Sequence, residues 1–350
     1  MKTKISILII TVLNACMQSQ GEIKPTFYVI HDEASMPVVV RGKITSNVLI
    51  LFLHGGPGGT ALKKIGTRAF NSLEKEFGLV YWDQRGADGS RGGMVKRYMN
   101  LNQFIEDLDR VIDQLKLLYP TSEIFLMGHC WGGGLGTGYL IDEHHQSKVS
   151  GWIDIAGAHN NPKGDSLSAQ WVKNYANNKI AANQDRRYWK KALNWYESNP
   201  SFTSSDLGHY SFVRKAHGYQ KIKGDSLGQF PCYTTRDLFI KPHQYISYYT
   251  NYYTTLKRFI ISDLNLTPQM SRIKIPSLIL WGEKDGLIPV DMAIEAYQSL
   301  GTSVDKKELH IFLNTGHTIY YEQPVAFTTT VKDFIDRHKS KQSSPLARRP

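Results

Sequence analysis

The chain has 350 residues, 41% apolar and 21% charged, with 29 Gly, 14 Pro and three Cys. These figures exclude a collagen-like, low-complexity or wholly disordered chain and a disulfide scaffold, and the length suits one large domain with an insertion, or two domains. The formal net charge of +11 reads as a basic soluble surface, because Lys and Arg are scattered, no nucleic-acid module is legible, and the one basic cluster, 337–349, lies in the tail.

Lys2 and Lys4 precede an apolar run at 5–13 that is too short to span a bilayer, the pattern of a secretory signal. The run ends in Leu13-Asn14-Ala15-Cys16, which resembles a bacterial lipobox, with Asn14 as its one departure. Residues 1–20 are therefore expected to be a lipoprotein-type signal peptide and linker. Cleavage would leave Cys16 as the lipidated N-terminus. The protein would cross the bacterial inner membrane and stay on its periplasmic face or the cell surface, held by lipid alone. The alternative is a plain secretory peptide with an incidental Cys.

From there strands and helices alternate. Residues 26–30 and 37–40 read as an antiparallel opening, and 48–53 (VLILFL) as a strand buried on both faces. A strand at 79–82 follows. The apolar residues Leu101, Phe104, Ile105, Leu108, Val111, Ile112, Leu115 and Leu118 keep a 3.6-residue period, which predicts a helix stopped by Pro120. Strands are expected at 124–127, 152–155, 277–281 and 309–313, and helices at 292–300 and 324–337, the last with Pro at its start. Alternation of this kind implies an α/β fold, a mostly parallel sheet covered by helices. Between 160 and 267 buried-strand runs vanish and Tyr, Trp, Asn and Lys become dense, so this stretch reads as an inserted helical lid. The expected division is a core of 21–159 and 268–340, a lid of 160–267 and a disordered tail of 341–350.

The chemistry gathers at strand ends. Behind the strand at 124–127 stands Gly128-His129-Cys130-Trp131-Gly132-Gly133, in which glycines flank Cys130 at −2 and +2. This is the pattern of a nucleophile elbow, G-x-S-x-G, with Cys at its centre; a turn this sharp needs small residues where helix and strand nearly touch. No Lys-Ser/Thr follows, as a phosphate loop would require, and no G-x-G-x-x-G lies in the first βα turn. Behind 48–53 comes His54-Gly55-Gly56-Pro57-Gly58-Gly59, a loop able to bring backbone N–H groups to an oxyanion. Asp285 follows the strand at 277–281 and His317 the strand at 309–313. The order nucleophile, acid, histidine is that of the α/β-hydrolases.

HGGPGG, YWDQRGADGS (81–90), GHCWGG and GEKDGLIP together resemble the proline iminopeptidases, the prolyl aminopeptidase branch of the α/β-hydrolases, over about 48–155 and 276–334. The resemblance implies an α/β-hydrolase fold, Cys130 as nucleophile, His317 as base and Asp285 as the orienting acid. It implies an oxyanion hole from the N–H groups of Gly56 and Trp131, and Asp83-Gln84-Arg85-Gly86 as a turn that buttresses the HGGPGG loop. That family normally carries Ser at position 130. A thiolate attacks activated acyl groups readily, but sulfur is itself a good leaving group, which disfavours expulsion of an amine; the change bears on peptidase more than on esterase or thioesterase activity.

Each candidate has a plainer reading. Cys130 alone would be a buried structural thiol. Asp154, at another strand end, rivals Asp285 for the acid. His54 and His129 read as structural, and Cys232 as a free or buried thiol. The aromatic stripe Tyr245, Tyr248, Tyr249, Tyr252, Tyr253 and Leu256 occupies one helix face and reads as lid packing, or else as an aromatic roof over the substrate. Trp195-Tyr196-Glu197 resembles the lid segment with which iminopeptidases hold a free amine, which makes Glu197 a candidate for substrate binding. No metal or other cofactor is expected, since neither H-E-x-x-H nor paired-Cys spacing occurs. The expected reaction is acyl transfer to water on a small peptide or acyl substrate, with release of N-terminal residues, proline favoured. The alternatives are a thioesterase, esterase, lactonase or acyltransferase on the same scaffold, and a ligand-binding pseudo-hydrolase.

Overall fold

Val48–Leu53 and Ser277–Gly282 are buried at every position, as strands covered on both faces must be. The structure is a computed structural model that describes residues 25–203, 206–216 and 263–340. Its strands are β1 (Phe27–His31), β2 (Ala34–Gly42), β3 (Val48–Leu53), β4 (Gly78–Trp82), β5 (Arg91–Gly92), β6 (Glu123–His129), β7 (Gly151–Ile155), β8 (Ser277–Gly282) and β9 (Lys307–Phe312). They form one sheet in the order β1-β2-β4-β3-β6-β7-β8-β9, with β5 beside β2. Pairing is antiparallel at the β1–β2–β4 end and parallel from β4 to β9.

The helices are α1 (Arg68–Glu74), α2 (Leu101–Leu118), α3 (Trp131–Leu140), α4 (Glu143–Gln146), α5 (Asn161–Ala181), α6 (Arg186–Ser198), α7 (Leu207–Lys215), α8 (Asp291–Ser299), α9 (Ile319–Glu322) and α10 (Pro324–His338). The two-residue period of a strand sorts the core into layers. Leu49, Leu51 and Leu53 face the side lined by Phe104, Leu108 and Val111 of α2, Leu135 of α3 and Met292 of α8. Val48, Ile50 and Phe52 face Phe70 of α1 and Phe327, Val331 and Phe334 of α10. The helix at 101–118 has the expected bounds. Asn100 caps it by accepting from the Gln103 N–H at 3.0 Å, and Pro120 follows its last turn.

The last strand begins two residues earlier than its apolar run, at Lys307, and leaves Leu313 outside it and 64% exposed. Lys307 enters by pairing with Ser277, a ladder position set by the neighbouring strand rather than by hydropathy. Strand β5 has no sequence signal; two exposed residues, Arg91 and Gly92, pair with Ser35 and Ala34.

Between β7 and β8 the chain builds α5, α6 and α7, whose Val172, Ala176, Trp189, Tyr196, Phe212 and Val213 form a core of their own. The chain segments 159–161 and 264–267, on either side of this insertion, are tied together. Asn160 bridges Asn265, the Asn161 N–H donates to the Leu264 carbonyl at 2.8 Å and the Leu266 N–H to the His159 carbonyl at 2.7 Å. Glu295 of α8 accepts from Asn160 Nδ2 at 2.9 Å and Thr267 Oγ1 at 2.7 Å and pairs with Lys163. Cys16, Cys232, the aromatic stripe at 245–256 and the tail 341–350 lie outside the described residues. No helix among the described residues is long and apolar enough to cross a membrane.

Candidate active site

Cys130 sits between the end of β6 and the start of α3 at φ 57°, ψ −119°. A side-chain-bearing residue is rarely held there. The surroundings fix it: its N–H donates to the Ile155 carbonyl at 3.0 Å, and its carbonyl accepts from Gly133 and Ala158, each at 2.9 Å. The flanking glycines are required by close approach. A Cβ on Gly132 would lie 2.0 Å from the Leu53 carbonyl oxygen, and one on Gly128 2.3 Å from that of Gly132. The turn lifts a half-buried free thiol to the N-terminus of α3, where unsatisfied N–H groups and the positive end of the helix dipole gather.

Asp285 and His317 come from the loops after β8 and β9, and both are buried. Asp285 Oδ1 accepts from the N–H groups of Leu287 and Ile288 at 2.9 Å each, which leaves Oδ2 to accept from His317 Nδ1 at 2.7 Å. The other edge of the imidazole meets the Cys130 side chain. Burial alone would lower the His317 pKa. Asp285 and Cys130 outweigh burial and push it up to about 10. The two loops are laced together: Lys284 Nζ donates to Asn314 Oδ1 at 2.6 Å, the Asn314 N–H to Glu283 Oε2 at 2.8 Å, and the Lys284 N–H to the Thr315 carbonyl at 2.8 Å.

The loop 54–59 is held against the elbow. A Cβ on Gly55 would lie 3.2 Å from Cys130 Cβ, and Gly56 has φ 136°, a conformation that favours glycine. His54 Nδ1 donates to the Gly55 carbonyl at 2.9 Å, and its Nε2 accepts from the Gln84 N–H at 3.1 Å. Burial lowers the His54 pKa to about 4, so the ring stays neutral and keeps both bonds. Gln84 Nε2 donates to the His54 carbonyl at 3.0 Å, and Gln84 Oε1 accepts from Trp131 Nε1 at 2.9 Å. Asp83 accepts from Thr60 Oγ1 and from the N–H groups of Ala61 and Gly89, each at 2.8 Å. Arg85 makes a buried two-point pair with Asp107, at 2.9 and 2.8 Å, and donates to the carbonyls of His31, Asp32 and Gly93. Gln84 braces the glycine-rich loop at His54 and links it directly to the first residue of α3, Asp83 holds the residues that follow the loop, and Arg85 anchors the 83–85 turn to β1 and α2.

The structure brings Cys130, His317, Asp285, Gly56 and Trp131 to one end of the sheet. As the first residue of α3, Trp131 has a backbone N–H with no carbonyl one turn back to receive it. Asp154, the rival acid, is wholly buried on β7 against Gly133 and Gly157, with neither carboxylate oxygen in a hydrogen bond of good geometry; burial raises its pKa to about 7. The acid bonded to His317 is Asp285. Glu197 is exposed near the end of α6, and no described contact joins it to the other candidates.

Two features escaped sequence reasoning. His129 Nε2 donates to the His317 carbonyl at 3.1 Å, a contact across 188 residues that no local signal carries. Ser168 of α5 donates to the Gly286 carbonyl, beside Asp285, and is bonded to His209, which in turn accepts from Tyr196 Oη at 2.7 Å. Among the described residues, His31, Asp32 and Glu106 have donor atoms within 4.8 Å of one another, the spacing of a metal site; they belong to the Arg85–Asp107 network rather than to the thiol site.

A family model described as alpha/beta hydrolase fold matches residues 48–324. A probable aminopeptidase, YbaC, of Bacillus subtilis (strain 168) is 24% identical over 314 residues, 86% of this chain and 93% of the relative. Proline iminopeptidase of Heyndrickxia coagulans is 25% identical over 291 residues, 82% and 90% of the two chains. A crystal structure of proline iminopeptidase from Mycobacterium smegmatis shares the fold with a TM-score of 0.61 at 17% identity, covering 89% of this chain and 97% of the other.

Proposed function

The chain belongs to the α/β hydrolase fold family, and on that footing we propose that it is a cysteine-dependent acyl-transfer hydrolase of the proline iminopeptidase type. The observation that carries this reading is the bond of Asp285 Oδ2 to His317 Nδ1 at 2.7 Å, with Cys130 at the opposite edge of the same ring. The aminopeptidase and proline iminopeptidase relatives support the peptide side of the reading.

In this mechanism the Cys130 thiol passes its proton to His317 Nε2, and the thiolate sulfur attacks the carbonyl carbon of the substrate. The negative oxygen that forms is met by the N–H groups of Gly56 and Trp131. His317, whose protonated form Asp285 and Cys130 favour, gives its Nε2 proton to the departing amine, and the C–N bond breaks to leave a thioester on Cys130. Neutral His317 then takes a proton from water as its oxygen attacks the thioester. The thiolate leaves, the acid product departs, and the imidazolium is restored. Asp285 keeps the ring in the correct tautomer throughout.

With sulfur as nucleophile, esters and thioesters suit the first step better than amides, so a thioesterase, esterase or lactonase role, or acyl transfer to an amine, is the second reading on this scaffold. A ligand-binding pseudo-hydrolase remains the non-enzymatic alternative. In the proposed arrangement α5–α7 belong to a lid that selects the substrate, with Glu197 as its candidate ammonium ligand. The chain is exported and anchored through lipid on Cys16, which mass spectrometry of membrane fractions tests directly. A panel of prolyl and other aminoacyl, ester and thioester chromogenic substrates tests the activity. Turnover that is lost in Cys130→Ala supports the proposal, and a panel with no turnover at all favours the pseudo-hydrolase.

A further inference from the structure

We infer that His129 is a positioning residue that aligns the His317 imidazole between Asp285 and Cys130, by holding the His317 backbone from the nucleophile elbow. The inference rests on the proposed triad and adds a fourth residue to it.

The geometry gives His129 three neighbours that matter. Its Nε2 lies 3.1 Å from the His317 carbonyl oxygen, which can only accept, so Nε2 carries the proton. Its Nδ1 is then the acceptor, and Tyr320 Oη lies 3.3 Å from it. A Cβ on Gly55 would lie 3.3 Å from the same Nδ1, so the ring also abuts the oxyanion loop. The rings of His129 and His317 are 4.7 Å apart at 47°, and Tyr320 meets the His129 ring edge-on at 5.1 Å.

His129 precedes Cys130 at the end of β6, so it is as fixed as the sheet. His317 stands on a loop after β9 and must hold its ring to within a fraction of an ångström of both partners. The Asp285 bond constrains one ring nitrogen. The His129 bond constrains the backbone from which the ring hangs. Together they leave the ring little freedom to rotate off the thiol.

The arrangement requires His129 to stay neutral while His317 carries the proton. The groups that face it are suited to that. Burial disfavours its charged form, and the positive charges of His317 and Lys64 disfavour it further; Lys64 Nζ stands over the Tyr320 ring at 4.8 Å. Two adjacent imidazoles with opposite protonation can therefore coexist, one holding and one reacting.

The test is the rate of iodoacetamide alkylation of Cys130, located by peptide mass spectrometry, between pH 5 and 11, together with kcat and KM on the best substrate of the panel. His129→Leu removes the donor to the His317 carbonyl. It is expected to slow alkylation at pH 7 and lower kcat by about tenfold or more with KM little changed, and to shift the pH profile. His129→Gln places an amide N–H where Nε2 was and should restore both to within about threefold. Tyr320→Phe withdraws the hydroxyl from Nδ1 and should give a drop of about threefold; it carries the test if His129→Leu does not fold. A His129→Leu protein with the wild-type alkylation profile overturns the inference, and so does a Gln variant as impaired as the Leu one. A wild-type protein whose turnover survives complete alkylation of Cys130 instead refutes the proposed function, while the alkylation profiles still judge His129.

Discussion

Gln84 and Trp131 are joined side chain to side chain at 2.9 Å, while the amide of the same glutamine holds the His54 carbonyl at 3.0 Å. One buried residue thus sets the distance between the glycine-rich loop and the helix behind Cys130, the two sources of oxyanion N–H groups in the proposed mechanism. Gln84→Ala should leave Trp131 Nε1 and the His54 carbonyl without partners. We expect a loss of about 2–4 kcal/mol of stability from two buried orphans. Turnover should fall by about tenfold or more as the loop drifts from the elbow, with KM moving less than kcat. Urea unfolding and steady-state kinetics read the two effects, and an active variant of unchanged kcat would separate the bridge from catalysis.

His317→Ala should cost several powers of ten in turnover, since removing a triad member commonly leaves a residual of only about 10³–10⁴ over water. Asp285→Asn should also be crippling, because the amide cannot hold the protonated imidazole as the carboxylate does. Asp154→Asn should keep activity near wild type. A silent Asp285→Asn beside a crippled Asp154→Asn would transfer the acid role to Asp154.

Asp154→Asn has a second readout. The wild-type carboxyl moves from 3.8 in the unfolded chain to about 7 in the fold, so the fold prefers it protonated. Its contribution to stability is complete below the unfolded pKa and is lost as pH rises through the folded one. Asn mimics the protonated form at every pH. The stability difference between variant and wild type should therefore grow in favour of the variant from pH 4 to pH 8. Urea midpoints across that range measure it, and a pH-independent difference would contradict the assignment.

Much of this arrangement was legible because it is local. VLILFL, the 3.6-residue period of 101–118 and the glycines around Cys130 each carry their structure in a few residues. The elbow and the glycine-rich loop are runs of consecutive residues, and the ends of β8 and β9 are marked by the apolar runs before them. What the sequence did not disclose is relational. His129 looked structural because nothing near it in the chain announces the His317 carbonyl. The brace at 83–85 entered through family resemblance, and its partners Asp107, His31 and Trp131 are distant in sequence. Glu197 was singled out by resemblance alone, and its exposed position follows from the α6 face that buries Trp189, Ala192 and Tyr196 instead.

Asp107→Ala would leave the Arg85 guanidinium buried without its counter-charge. Both side chains are fully shielded from solvent, so the loss should be about 3–5 kcal/mol. Chemical denaturation measures it. A loss below about 1 kcal/mol, the range of exposed pairs, would mean that water reaches Arg85.

The central claim is that substrate acyl groups pass through a thioester on Cys130. Rapid acid quench during turnover of an aminoacyl or thioester substrate, followed by peptide mapping, reads it most directly. The account predicts an acyl mass on the peptide containing Cys130, discharged by neutral hydroxylamine, diverted to an amide product by added amine and absent in Cys130→Ala. An acyl group on any other residue, or undiminished turnover by Cys130→Ala, would contradict it.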